Sequence, residues 1–280
     1  MISDTETTGL KPFGDNKNKD IKDRLIEVAF IFYKMENGRL EKLVDDHGDF
    51  IYFHEYINPF QETPAELARY NSIKSIPQFL YRTHGISDDF LAGKKGLLDS
   101  NLNETSFNLP KSAPTFDMIK PIISKMLCIG EKKNGTIFYV AHNGIFDTNF
   151  LSAEWSKCEQ YHENHQQPAA FESYVTLIDT LPLIREMYPT VAALGHAYQQ
   201  KPHYNQATKI NYKLDFLIEF YQCHNVERDV HGALIDSMIL ADVYQAMLDD
   251  EAYISLPLVK SMKQNIETVK KLDSKGIKTL

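Results

Sequence analysis

The stretch Ile2-Ser3-Asp4-Thr5-Glu6-Thr7-Thr8-Gly9 constrains the fold of this chain more than any other. Side chains alternate along a strand, so a strand here turns Asp4 and Glu6 to one face. Two neighbouring carboxylates on an interior strand repel each other and lose hydration unless a cation lies between them. A buried strand carrying that pair therefore points to a divalent-ion site, whereas a solvated strand carries it with no ion at all. Thr7-Thr8-Gly9 also has two readings: hydroxyls and a pliant backbone suited to the phosphate and sugar of a terminal nucleotide, or a plain strand-to-turn exit.

At 280 residues, 43% hydrophobic and 24% charged, the chain is long enough for one substantial core, and its composition argues against global disorder. Its longest apolar runs, such as Val28-Ala29-Phe30-Ile31-Phe32-Tyr33, are of strand length and too short to cross a bilayer. No basic leader precedes an apolar stretch, so a non-secreted, cytoplasmic protein with no membrane association is expected. Cys128, Cys158 and Cys223 are widely spaced without a C-x-x-C, which fits a reducing compartment rather than a disulfide framework or a thiolate zinc site. The net charge of −8 argues against a broad basic surface for nucleic acid. It leaves room for a site that meets phosphate through metal ions, because such a site needs carboxylates.

Along the chain, residues 25 to 35 alternate and then run apolar, Glu36-Asn37-Gly38 supplies turn chemistry, and residues 40 to 58 hold further strand-like stretches, together a β-meander. Helices are predicted from Pro64 to Tyr70 and from Thr115 to Cys128. Between them, residues 93 to 113 lack any period and read as an inserted loop. From Thr136 strands and helices alternate: Thr136 to His142, a helix carrying Phe146, Phe150 and Leu151, Val175 to Asp179, and a helix through Met187. Residues 190 to 211 read as a second, irregular insertion. Helices follow over Tyr212 to His224 and Ala233 to Asp249. A meander followed by βα units predicts an α/β fold, a mixed sheet flanked by helices.

Two further segments carry candidate chemistry. In Val140-Ala141-His142-Asn143-Gly144-Ile145-Phe146-Asp147, a strand ends, Asn143-Gly144 turns, and Asp147 falls in the first turn of a helix, at the strand end where α/β folds build sites. Alternatively Asp147 merely complements the helix dipole, with His142 and Asn143 stabilising the turn. In His231-Gly232-Ala233-Leu234-Ile235-Asp236, residues five apart on one helix diverge by roughly 140°. His231 and Asp236 meet only if the helix begins near Gly232 and His231 stands on the preceding loop; otherwise His231 is a cap or surface residue.

Taken together, D-T-E-T-T-G-L, V-A-H-N-G-I-F-D and H-G-A-L-I-D-S-M-I-L-A-D-V-Y resemble the three motifs of the DEDDh 3′→5′ exonuclease family. The last looks especially like that of the proofreading epsilon subunits of bacterial DNA polymerase III. Arg82 to Leu91 and Ile178 to Leu181 match epsilon-like segments, and the resemblance runs through most of residues 1 to 248. It implies a ribonuclease-H-like fold and removal of nucleotides from single-stranded or frayed DNA 3′ ends, in proofreading or repair. By the same resemblance Asp4, Glu6, Asp147 and Asp236 would bind two Mg²⁺ or Mn²⁺ ions, and His231 would be the general base. Thr7, Thr8, Gly9 and Leu10 would line a terminal-nucleotide pocket, with His84, Asn143 and Phe146 beside the substrate. Gly232 rather than Tyr marks the histidine subclass.

The family usually has a longer first strand than the three residues before Asp4 allow, so either a shortened central strand or a truncated start is expected. No clamp-binding peptide follows Met247, and clamp association is not carried over; a DNA polymerase subunit remains a candidate partner. The exonuclease domain is expected over 1–250 and a helical tail over 251–280. In that tail Val259, Met262, Ile266 and Val269 recur at helical spacing among lysines, which suits packing on the domain or docking to a partner. Two rival functions stand beside the first. V-A-H-N…F-D also resembles ribonuclease T, an RNA-trimming enzyme, and a non-catalytic, nucleic-acid-binding polymerase scaffold could keep the fold, although it would not need His231.

Overall fold

The computed structural model describes residues 1–14, 22–61, 73–134, 137–159, 171–223 and 230–262. In chain order it begins with β1 (Ile2–Thr7), β2 (Leu25–Ile31), β3 (Tyr33–Glu36), β4 (Arg39–Lys42) and β5 (Tyr52–Tyr56). Short helices α1 (Tyr81–His84) and α2 (Asp88–Leu91) lead to β6 (Gly96–Leu98) and β7 (Glu104–Asn108), followed by α3 (Phe116–Asn134). Then come β8 (Ile137–Ala141), α4 (Gly144–Glu159), β9 (Val175–Asp179), α5 (Thr180–Met187), α6 (Val191–Gln199), α7 (Leu214–Tyr221), α8 (Ala233–Asp249) and α9 (Glu251–Ile254).

The main sheet has the order β5-β2-β1-β8-β9. β2 runs antiparallel to both β1 and β5, whereas β8 runs parallel to β1 and β9 parallel to β8. This is the mixed sheet that the meander and the βα units imply, and it agrees with the ribonuclease-H-like fold that the resemblance implies. The central strand β1 is six residues long. It pairs with β2 from Ile2 to Thr7 but with β8 only at Ile2–Val140, because β8 ends one residue later at Ala141 while β1 runs on to Thr7.

Every residue of β2 is buried, because helices cover both sides of the sheet. On one side Phe30, Tyr139, Phe116, Ile123, Phe150 and Trp155 form the largest core; burying each of these side chains contributes roughly 2 kcal/mol. On the other side α8 packs Leu240, Ala241 and Tyr244 against Ile2 and Val140. Its outer face meets α5, α6 and α7 through Ile184, Leu194, Leu217, Phe220 and Val243.

Two segments differ from their sequence reading. Residues 93–113 contain the hairpin β6–β7, whose turn is built on Asp99, the acceptor of the Asn101 and Asn103 amides. All five residues of β7 are exposed, and a strand with no buried face leaves no alternation to read. Residues 190–211 contain α6, capped by the Thr190 hydroxyl on the Ala193 amide. Its periodicity is masked because one of its buried positions is Gly195, packed against Ile210. The helix over Tyr212 to His224 is shorter, Leu214–Tyr221, and ends at a left-handed Gln222. The Pro64–Tyr70 segment and the tail beyond residue 262 lie outside the described residues. Among the described residues no helix is long and apolar enough to cross a membrane.

Candidate active site

β1 delivers the first two acids. Asp4 and Glu6 are half-buried on the α8 side, while Ser3, Thr5 and Thr7 are buried on the opposite side. Helix α8 delivers the third. Gly232 is its N-cap in extended conformation, so His231 stands on the preceding loop, its amide donating to the Thr83 carbonyl at 2.6 Å. Asp236 lies in the first turn, and His231 Nδ1 is 3.0 Å from its Oδ2. The one arrangement in which these two residues can meet is the one adopted. An ionised carboxylate only accepts, so Nδ1 carries the proton and Nε2 is the basic nitrogen of His231.

These groups surround a cavity of about 290 Å³ lined by Asp4, Thr5, Glu6, Thr83, His142, Lys213, Leu214, Asp215, His231 and Asp236. Glu6, His231 and Asp236 each offer a ligand atom, all within 4.8 Å of one another, and Asp4 shares the cavity wall. Carboxylate oxygens with one imidazole form a donor set that fits Mg²⁺ or Mn²⁺.

Asp147 is placed differently. It occupies the first turn of α4, on the other side of the sheet, and its Oδ1 accepts the Thr5 hydroxyl at 2.7 Å. It is therefore bonded to the residue between Asp4 and Glu6 without itself lining the cavity. Burial pushes its carboxyl up to about 7, against the opposing hydrogen bonds from Thr5.

The expected substrate-side residues divide. The Thr7 hydroxyl donates to the Gly9 carbonyl at 2.6 Å, and the Thr8 hydroxyl accepts the Arg24 amide at 2.8 Å, so both hydroxyls serve the turn. A Cβ at Gly9 would lie 2.3 Å from the Asp23 carboxylate, which accepts the Lys11 amide, so a larger residue would displace that side chain. Leu10 is 78% exposed. Asn143 adopts a left-handed conformation (φ 64°) with its amide on Asp179, and Phe146 packs on Phe150 with ring centroids 4.9 Å apart. His84 is buried, its Nδ1 accepting the Ile86 amide. Burial, reinforced by the nearby His231, lowers its imidazole to about 4.

His142, Lys213 and Asp215 complete the lining without having been singled out for it. Nε2 of His142 lies 2.8 Å from the Tyr212 carbonyl, which can only accept, so Nε2 bears the proton and Nδ1 faces the Thr180 hydroxyl at 3.0 Å. Burial lowers its pKa, leaving a neutral clamp between the end of β8 and the start of α7. The readable signal for Lys213 was its place directly before the apolar run Leu214-Asp215-Phe216-Leu217 that opens a helix.

The sheet order defines a ribonuclease-H-like α/β protein, and the cavity at the carboxyl end of β1 gathers carboxylates and an imidazole that could hold a metal ion. The resemblance noted on three segments extends over nearly the whole chain. It is 29% identical over 278 residues to the DNA polymerase III subunit epsilon of Rickettsia typhi, covering 99% of this chain and 86% of that protein. To the same subunit of Escherichia coli it is 24% identical over 264 residues, covering 94% and 77%. No family model matches the chain. Similar solved structures include the cell-death related nuclease 4 (CRN-4), at TM-score 0.49 and 17% identity over 90% of this chain and 64% of that one. Another is described as 3′-end specific recognition of histone mRNA stem-loop by 3′-exonuclease, at TM-score 0.46 and 15% identity over 82% of this chain and 58% of that one.

Proposed function

We propose that this protein is a metal-dependent 3′→5′ exonuclease that hydrolyses phosphodiester bonds at DNA 3′ ends. The observation that supports it most is the convergence of Asp4 and Glu6 from one end of the chain with His231 and Asp236 from the other around a single cavity. The similarity to DNA polymerase III epsilon subunits over 99% of the chain supports the same reading.

In this proposal Asp4, Glu6 and Asp236 hold two Mg²⁺ or Mn²⁺ ions, with Asp147 as the fourth carboxylate behind Thr5. Bound divalent ions supply Lewis acidity for an attacking water and for the leaving 3′-oxygen. The chain's own contribution is to place a base. Asp236 holds the Nδ1 proton of His231, orienting the ring and fixing its tautomer, so that Nε2 is the atom that takes the proton of the water. Leu10, exposed just past the strand-to-turn exit, offers an apolar surface to the terminal base. Proofreading beside a polymerase subunit belongs to the same proposal and requires mismatched 3′ nucleotides to leave faster than paired ones.

The test uses DNA and RNA oligomers of one sequence, labelled at either end, with Mg²⁺, Mn²⁺ or a chelator. Mononucleotides released stepwise from the DNA 3′ end in the presence of metal are expected. Preferential release from RNA would move the substrate class, and no release under either metal would replace the enzyme with a nucleic-acid-binding scaffold.

A further inference from the structure

The cavity wall carries the carboxylates of Asp4, Glu6, Asp215 and Asp236, and among its described lining residues Lys213 is the only lysine or arginine. A nucleic-acid strand is a polyanion, and four acids on one wall repel it wherever bound ions do not neutralise them. We infer that Lys213 holds a backbone phosphate of the strand lying in the cavity. The inference rests on the nuclease reading of the site.

The backbone around Lys213 is pinned. The Tyr212 carbonyl accepts from His142 Nε2 at 2.8 Å, and the Tyr212 hydroxyl donates to the Tyr188 carbonyl at 2.7 Å. The Lys213 amide donates to Asn211 Oδ1 at 2.7 Å. An exposed ammonium on a fixed root beside the cavity is thus presented without prior ordering of the loop, which lowers the entropic cost of meeting a phosphate.

Local stability points away from a lysine here. Lys213 is the N-cap of α7 and makes no side-chain cap bond. Ser, Thr, Asp or Asn would satisfy an orphan amide at that position, and a cation faces the positive end of the helix dipole. A residue that disfavours its own helix while standing over an acidic cavity is explained by what it binds.

Lys213→Ser therefore separates the two roles, since it improves the cap and removes the cation. Relative to wild type on a single-stranded DNA oligomer with Mg²⁺, the variant should show KM raised about tenfold, the size of one charge-assisted contact, with kcat changed far less. Its dependence of log(kcat/KM) on log salt should be shallower by about 0.7, the slope of one phosphate contact on a single strand. Its Tm should rise by roughly 2 °C, and Lys213→Arg should restore KM. A folded Lys213→Ser protein with unchanged KM and salt slope would overturn the inference. Fluorescence anisotropy with the same 5′-labelled oligomer and metal-free protein reads the contact independently of turnover. A wild-type protein that binds but never cleaves would discard the nuclease reading while leaving Lys213 testable by that binding.

Discussion

On one face of β1, Asp4 and Glu6 line a cavity together with the His231–Asp236 pair. On the other, Ser3 accepts the Tyr139 hydroxyl at 3.1 Å, and Thr5 donates to Asp147, all within a buried layer. The same strand thus presents acids to a space where ions and water can meet them, and hydroxyls to an acid that neither reaches in the bare protein. Hydration, not residue type, decides the difference. The cavity acids are suited to chemistry, whereas the buried one is held by hydrogen bonds and driven toward its neutral form.

The sharpest way to break this comparison is to remove one acid from the cavity face and one hydroxyl from the other. Asp236→Asn removes the charge of a proposed ion ligand and leaves a neutral, weaker acceptor against His231 Nδ1. Nucleotide release should fall on the order of 10⁴-fold, since Lewis-acid stabilisation is worth several kcal/mol, while Tyr139→Phe should leave it within about threefold, a bond lost outside the cavity being worth roughly 1 kcal/mol. Equal losses in two folded variants would mean that the two faces are not functionally distinct. His231→Ala should come next, lowering turnover about 10³-fold while Mn²⁺ affinity, measured by titration calorimetry, stays within a few-fold of wild type. A collapse of affinity would make His231 a ligand rather than the base.

Much of the cavity face was legible because the relevant constraints are local. Strand alternation alone puts Asp4 and Glu6 together, and helical geometry alone requires His231 to precede the helix if it is to meet Asp236. What was not legible depends on the third dimension. Asp147 sits behind Thr5 because β8 ends at Ala141 beside a longer β1 and the helix that follows starts against the buried face of β1, which no residue pattern records. The hydroxyls of Thr7 and Thr8 satisfied two sequence readings equally; in the fold they bond to Gly9 and Arg24 within the turn, and each keeps hydrogen-bonding capacity for the other reading. Lys213 went unnoticed because the predicted helix begins at Tyr212 and takes Lys213 into its first turn, whereas the helix starts at Leu214 with Lys213 as its N-cap.

The buried face makes its own prediction. Asp147 is protonated in both folded and unfolded chains below pH 3.8. Between 3.8 and about 7 the unfolded chain ionises while the folded one keeps its proton, so this contribution to stability drains away as pH rises and is gone above about 7. The rise is worth about 4 kcal/mol. In metal-free buffer at pH 8, Asp147→Asn should therefore be more stable than wild type in urea unfolding, by up to that amount, although it loses a proposed ligand. A variant less stable than wild type would show that Asp147 is ionised and favourably paired in the folded state.

His84, beside the cavity, titrates in the opposite sense. Its imidazole is lowered from 6.5 to about 4, so the folded protein refuses a proton that the unfolded chain accepts. The associated stability is complete above pH 6.5 and is lost as pH falls toward 4, about 3 kcal/mol in all. Over that window the Asp147 contribution grows as the His84 contribution shrinks, so the wild-type protein should show a shallow net dependence. Asp147→Asn removes one side of the balance and should expose a steep acid loss between pH 6.5 and 4. Adding His84→Asn should flatten it again, even if the double variant is less stable throughout. A slope that persists in the double variant would assign the acid sensitivity to other groups and remove His84 from the account, because no remaining property of that side chain could produce it.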